Sequence, residues 1–175
     1  RHSVGAMSPL TGGFGEPESG GYWGGELKRA RWDAIVVHGV SKTPVYLWIR
    51  EGQVEFRDAS HLWGKITGEV EDIILAELGD SLIRIAQIGP AGENLVRFAC
   101  IANELNEVAG RTGMGAVMGS KRLKAIAVRG KTPVKIADQR GLLAIAKWVS
   151  GTMDEKHRAF HEFGTGAAMQ GKSLE

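Results

Sequence analysis

Apolar and polar positions along this 175-residue chain change in short blocks, and the blocks predict a mixed α and β domain. Ala34-Ile-Val-Val37 is an unbroken apolar run of strand length, which predicts a strand buried on both faces. Pro44 to Ile49 and Val54 to Arg57 read as two more strands, and Glu51-Gly52 between them suits the tight turn of a hairpin. From Gly68 to Leu78, the residues Val70, Ile73, Ile74 and Leu78 recur at helical spacing. Glu69, Glu71 and Asp72 fall in the first turn, where the helix dipole favours negative charge, and Gly79 is placed to cap the end. Leu82 to Ile88 predicts a further strand, closed by Gly89-Pro90. Leu95 to Ala102 is apolar without a clear period, so strand and helix stay open there. Met114 to Leu123 predicts a short helix, Ala125 to Val128 a buried strand, and Asp138 the cap of a last helix reaching about Val149. Strands dominate the first two thirds, and no internal repeat is visible.

Composition sharpens this picture at several points. Apolar residues make up 43% and charged residues 24%, which excludes a disordered chain, a collagen-like fibre and a disulfide scaffold. The net charge of +2 gives no argument for a nucleic-acid or membrane surface. No apolar run approaches the roughly 18 residues of a membrane span, and no signal peptide is recognisable. Glycine is in excess, at 25 residues, and it is dense in two places, 11–25 and 110–119. Glycine-rich backbone makes poor helix and strand, so the first stretch reads either as a flexible loop or as main chain approaching a ligand closely. The only cysteine is Cys100, too few for a disulfide or for an iron–sulfur cluster with its about four thiolates. It lies in an apolar run and reads as an inert core residue, and a reducing, cytoplasmic setting is expected.

Three motifs carry candidate chemistry. Gly166-Ala-Ala-Met-Gln-Gly171-Lys172-Ser173 matches a phosphate loop literally, but no buried strand precedes it and no helix follows it, as that loop requires. Gly113-Met-Gly115-Ala-Val-Met-Gly119 resembles a dinucleotide fingerprint without its βαβ context; with Arg111, Lys121, Arg122 and Lys124 nearby it suits an anionic ligand such as a phosphate. His157 and His161 have the spacing of a metal pair on a helix, yet no other ligand pattern surrounds them, and a solvated face explains them as well. No arrangement for nucleophilic catalysis is legible. Physical reasoning ends at a site for a phosphate-bearing ligand gripped by two glycine-rich segments.

Longer motifs go further. Ser8-Pro-Leu-Thr-Gly12, Ser19-Gly-Gly-Tyr-Trp-Gly-Gly-Glu-Leu-Lys28, Trp32-Asp-Ala-Ile-Val-Val37, Arg57-Asp-Ala-Ser-His-Leu-Trp-Gly64, Ile88-Gly-Pro-Ala-Gly-Glu-Asn-Leu-Val96 and Gly110 to Val128 resemble the N-terminal domain of the tungsten-containing aldehyde ferredoxin oxidoreductase family. The resemblance covers about residues 1–130 and identifies the chain as a fragment of a longer enzyme. It implies an α+β fold with a two-sheet β-rich base and short helices. It further implies that 1–130 form a bis-pterin cofactor-binding domain lacking its start, and that 131–175 connect to a helical second domain. Enzymes of this family oxidise aldehydes to carboxylic acids and pass electrons to ferredoxin. Their cofactors are tungstopterin (tungsten or molybdenum held by two pterins), magnesium and a 4Fe-4S cluster. On this resemblance Arg1, Glu18, Ser19, Gly20, Glu107, Val108, Gly110 and Arg111 contact the cofactor, and the backbone carbonyls of Glu18 and Val108 hold the magnesium. Two positions depart from the family: Glu18 stands where asparagine is common, and Glu107 where a basic residue is usual. No catalytic residue and no cluster cysteine falls in this chain. The expectation is an inactive, cofactor-free fragment, with no nucleic acid or membrane partner and with the oligomeric state, a homo-oligomer included, left open. The alternative is a non-catalytic domain that keeps the fold for interaction or assembly.

Overall fold

The computed structural model describes residues 1–152 and 155–164. Its architecture is the α+β one expected, rich in strands and with short helices. The chain divides into two compact units, Arg1–Val134 and Lys135–Glu175. The first unit holds strands β1 (His2–Ser3), β2 (Ala6–Met7), β3 (Phe14–Gly15) and β4 (Glu18–Ser19), then helix α1 (Trp23–Arg29). It continues through β5 (Val45–Arg50), β6 (Gln53–Asp58), α2 (Thr67–Leu78), β7 (Arg84–Gln87) and α3 (Pro90–Glu93). It closes with β8 (Ile101–Asn103), β9 (Glu107–Ala109), α4 (Met114–Ser120) and β10 (Leu123–Arg129).

Six strands form the main sheet in the order β6-β5-β10-β7-β8-β9, with β5 and β10 parallel and the other pairs antiparallel. Two short ribbons, β1–β4 and β2–β3, complete the unit. Both faces of the main sheet are covered, and β5 shows how. Leu47 and Ile49 join one core with Trp23 and Leu27 of α1 and Met114 and Met118 of α4. Tyr46 and Trp48, pointing the other way, join a second core with Val70 and Ile74 of α2. Fully burying one such aliphatic side chain stabilises the fold by about 1.5–3 kcal/mol.

Where the sequence signal was local, the structure follows it. The β5–β6 hairpin turns at Glu51 and Gly52, both at positive φ (45° and 82°), the geometry whose twist matches the flanking strands. Helix α2 ends at Gly79 with φ 67°.

Other expectations are corrected. Ala34–Val37 is not a buried strand: it pairs with no strand, and Val36 is 76% exposed. Its apolar composition suits a sheet, but it joins neither edge of the main sheet, β6 or β9, and only Ile35 packs against the core. Leu95–Ala102 is mostly turn, and only its end enters β8. Cys100 is half-buried rather than a core residue. The first glycine-rich stretch is ordered as the two ribbons and α1. That helix contains Gly24 and Gly25 and owes its existence to tertiary contacts, not to propensity. Trp23 and Leu27 are buried, and the Glu26 carboxylate accepts hydrogen bonds from Arg129 Nη1 and Gly130 N, both at 2.8 Å.

The glycines of Gly113 to Gly119 serve close packing. A Cβ on Gly119 would come under 3.0 Å from the Gly92 carbonyl oxygen, and one on Gly115 would meet the Cys100 carbonyl just as closely, so α4 lies on α3 backbone to backbone. The Gly115 N–H already donates to Ala99 O at 2.9 Å. Three of the four nearby cations are engaged elsewhere, and the fourth, Arg111, is exposed. Lys121 Nζ donates to Gly39 O at 3.2 Å, Arg122 to Lys42 O, and Lys124 to Glu93.

Lys124 has no exposure at all, and Glu93 only 4%. The second oxygen of Glu93 accepts from Gly64 N at 2.7 Å, and Lys124 Nζ also donates to Lys65 O at 3.0 Å.

In the second unit, α5 (Gln139–Gly151) begins where Asp138 Oδ1 accepts from Gly141 N at 2.9 Å, the cap expected. Leu142, Leu143, Ile145, Trp148 and Val149 are exposed along it. His161 of α6 (Glu155–Phe163) is exposed, and α6 also contains His157. Gly166–Ser173 lie outside the described residues. No described helix is long and apolar enough to cross a membrane.

Two outcomes are expected. Gly119→Ala should lower stability by about 3 kcal/mol through the forced separation of α3 and α4, whereas Gly25→Ala, in open space on α1, should raise it by about 0.5–1 kcal/mol. Thermal melts of the two variants separate packing glycines from incidental ones. Lys124→Met leaves the Glu93 carboxylate buried without a cation and should cost about 3–5 kcal/mol. Adding Glu93→Gln should recover part of that loss in urea titrations.

Candidate cofactor-binding site

The two glycine-rich segments meet. Strand β4 supplies Glu18 and Ser19, followed by Gly20, Gly21 and the start of α1. Opposite it runs the β8–β9 hairpin, closed by the pair Asn103 and Glu107. Its turn holds Glu104 and Leu105 at positive φ, 53° and 61°, a conformation that non-glycine residues adopt only at a cost.

Contacts between the segments are specific. Asn103 is fully buried; its Oδ1 accepts from Ser19 Oγ at 2.6 Å, and its Nδ2 donates to Gly20 O at 3.3 Å. The Glu104 carboxylate accepts from the Tyr22 N–H with both oxygens, at 2.8 and 2.9 Å. The Glu107 carboxylate lies against the α-carbon of Gly20, while Glu104 and Asn103 crowd Gly21, which has φ +74°. A Cβ at Gly21 would fall under 3.0 Å from the Glu104 carboxylate and the buried Asn103 amide at a left-handed φ, so bare backbone is required there, while one at Gly20 would displace the Glu107 carboxylate. A further anchor lies along the segment, where Ser8 Oγ donates to Thr112 O at 2.8 Å. The Thr112 and Met114 side chains leave no room for a Cβ on Gly15.

The expected cofactor residues fall as follows. Arg1, Glu18, Ser19, Gly20 and Glu107 are gathered at this junction. Arg1 Nη1 donates to Glu18 Oε2 at 3.1 Å across the β1–β4 ribbon, an exposed pair that contributes little to stability. Val108 is 47% exposed on β9, and Gly110 and Arg111 follow β9 directly, both exposed. Asn103 and Glu104 were not singled out in the sequence. The one signal for them is two polar residues ending an apolar run, Ala99-Cys-Ile-Ala-Asn-Glu104.

The surroundings are acidic as much as basic. Glu18, Glu104 and Glu107 all border the Glu18–Tyr22 backbone, and the cation of Arg1 pairs with Glu18. Burial, reinforced by the charges of Asp72 and Glu104, raises the pKa of the Glu71 carboxyl. Arg84 sits over the Tyr22 ring, 5.2 Å from its centroid. Burial, first of all, lowers the pKa of His2, whose ring packs on Trp23 with centroids 4.7 Å apart. His2 borders a largely apolar groove of about 590 Å³ that the extended Ala34–Val37 segment also lines. Among the described residues, no group of three or more His, Cys, Asp or Glu side chains is placed to hold a metal ion.

Comparison with known proteins gives this junction its context. Residues 1–130 match the family model described as aldehyde ferredoxin oxidoreductase, N-terminal domain. The tungsten-containing aldehyde ferredoxin oxidoreductase of Thermococcus kodakarensis is 54% identical over 147 residues, covering 84% of this chain and 24% of the relative. Its counterpart in Pyrococcus furiosus is 52% identical over the same shares. The WOR-like subunit of an aliphatic sulfonate oxidoreductase from Pyrococcus furiosus is 34% identical over 94% of this chain and 28% of its own length. Among solved structures, the active-site complex BamBC of benzoyl coenzyme A reductase, in complex with 1,5-dienoyl-CoA, superposes with a TM-score of 0.82. It shares 41% identity, covering 89% of this chain and 23% of that one. The chain thus spans about a quarter of the length of the relatives it matches. With the match running through both glycine-rich segments, the chain belongs to the aldehyde ferredoxin oxidoreductase family, and residues 1–130 correspond to its N-terminal domain.

Proposed function

We propose that residues 1–130 are the part of an aldehyde ferredoxin oxidoreductase that binds a bis-pterin tungsten or molybdenum cofactor, and that residues 131–175 lead into the enzyme's helical second domain. The observation that supports this reading is the junction at Gly20–Gly21, a backbone without side chains of its own that Asn103 and Glu104 hold beside the Arg1–Glu18 pair. Backbone stripped of side chains suits close approach to a flat, phosphate-bearing ligand. In this reading Ser19, Gly20 and Gly110 present main chain to the pterins, Arg1 and Arg111 face the phosphates, and the carbonyls of Glu18 and Val108 hold magnesium. A carbonyl ligand survives a change of side chain, so Glu18 in place of asparagine is compatible with the role. Glu107 is the residue that fits poorly, because a carboxylate near phosphates is repelled.

When bound, the metal–pterin centre supplies oxidation of an aldehyde to a carboxylic acid, with electrons leaving by an iron–sulfur cluster to ferredoxin in the cytoplasm. The cluster's thiolates come from outside this chain, whose single cysteine is Cys100. By itself the chain is inactive in this reading.

Metal and pterin analysis of the full-length protein tests the reading. Tungsten or molybdenum together with pterin is expected, while a well-folded protein free of both would favour the non-catalytic alternative. Glu107→Arg is expected to raise pterin content. It exchanges a repulsion worth about 1 kcal/mol in water, and several at an effective dielectric near 20, for charge-assisted hydrogen bonds. Unchanged or lower content, with the fold intact, would mean that Glu107 faces away from the phosphates.

A further inference from the structure

We infer that Asn103 and Glu104 are positioning residues of the cofactor site, clamping the Ser19–Tyr22 backbone so that the main chain of Glu18 and Gly20 faces the ligand. The inference rests on the cofactor reading of that segment. Asn103 has no exposure and spends both ends of its amide on residues some 84 positions away, Ser19 Oγ and Gly20 O. Glu104 commits both carboxylate oxygens to one backbone N–H, that of Tyr22, where α1 begins. Ser19 at the end of β4, Gly20 and Tyr22 are thereby tied to one hairpin.

That hairpin is strained. Glu104 and Leu105 adopt left-handed backbone, which aims the Glu104 side chain across the junction instead of along β8. Strain of this kind persists where the surroundings hold it and is concentrated at ligand clamps. The same hairpin carries Glu107 and Val108 on its second strand. A shift of the turn would therefore move both halves of the site together. Neither Asn103 nor Glu104 needs to touch the cofactor for this role.

Asn103→Ala, Glu104→Ala and the conservative Glu104→Gln test it in the full-length protein, by amide hydrogen exchange and by pterin content. In Glu104→Ala, which removes the acceptor of the Tyr22 N–H, exchange at Tyr22 should quicken about tenfold while β5 and β10 keep their protection, and in Asn103→Ala, which frees Ser19 Oγ and Gly20 O, it should quicken less. Pterin per chain should fall by about half or more. Glu104→Gln retains an acceptor for the Tyr22 N–H and should recover most of both. If Asn103→Ala fails to fold, the two Glu104 variants decide. Unchanged exchange at Tyr22 in Glu104→Ala, or quickening spread equally over the main sheet, would overturn the clamp. A wild-type protein without pterin whose amides still respond as described would remove the cofactor reading and leave the clamp standing.

Discussion

Lys124 lies in a central strand with no access to water, and the outlet for its charge is the carboxylate of Glu93. That one pair fixes three separate pieces of chain: β10, helix α3, and the turn before α2, which adds Gly64 N and Lys65 O to the network. With α3 held, Gly92 presents the backbone surface on which Gly119 and hence α4 lie. Just before α4 come Gly113 and Thr112, and Thr112 receives the Ser8 hydroxyl of the N-terminal ribbons. The order of the glycine-rich segments therefore descends from a buried charge on the sheet. Such pairs add little net stability against an apolar alternative, but removing one partner is severe, which makes their geometry rigid.

What the sequence disclosed depended on how local the physics was. The β5–β6 hairpin was legible because Glu51-Gly52 satisfies the turn by itself, and α2 because four apolar residues share one face. The Asp138 cap needed only Gly141 three residues on. Composition reports that Ala34–Val37 suits a sheet, not whether it joins one, and it pairs with neither edge strand, β6 or β9. Helix α1 was hidden by Gly24 and Gly25, since its support comes from Arg129 and Gly130 about a hundred positions later. The Gly113 to Gly119 pattern was legible as a run of glycines, but not that Gly119 and Gly115 lie against the carbonyls of Gly92 and Cys100.

The candidate site divides in the same manner. Resemblance to a family locates residues that face a ligand, and five of the eight so located are gathered at one junction. Residues that act on the main chain of those ligand-facing positions leave no comparable trace. Asn103 and Glu104 look, in sequence, like two ordinary polar residues at a turn. Glu107 is the reverse case, conspicuous in sequence as a reversed charge, and in the structure a filler against Gly20 as well as an anion.

The pairing of β5 with β10 bears on how the chain folds. Val45 lies opposite Leu123 in a parallel ladder, and every strand of the main sheet beyond β5 and β6 is reached through β10. Contacts this distant in sequence close slowly, because the loop entropy is spent before they are rewarded. On a ribosome the β5–β6 hairpin can form early, yet the parallel edge of β5 stays open until residue 129 has emerged. During that interval Leu47 and Ile49 lack their core and the strand edge is free to pair wrongly. Synthesis from the N-terminus thus makes the central strand the last to arrive, and the window for aggregation is set by translation speed.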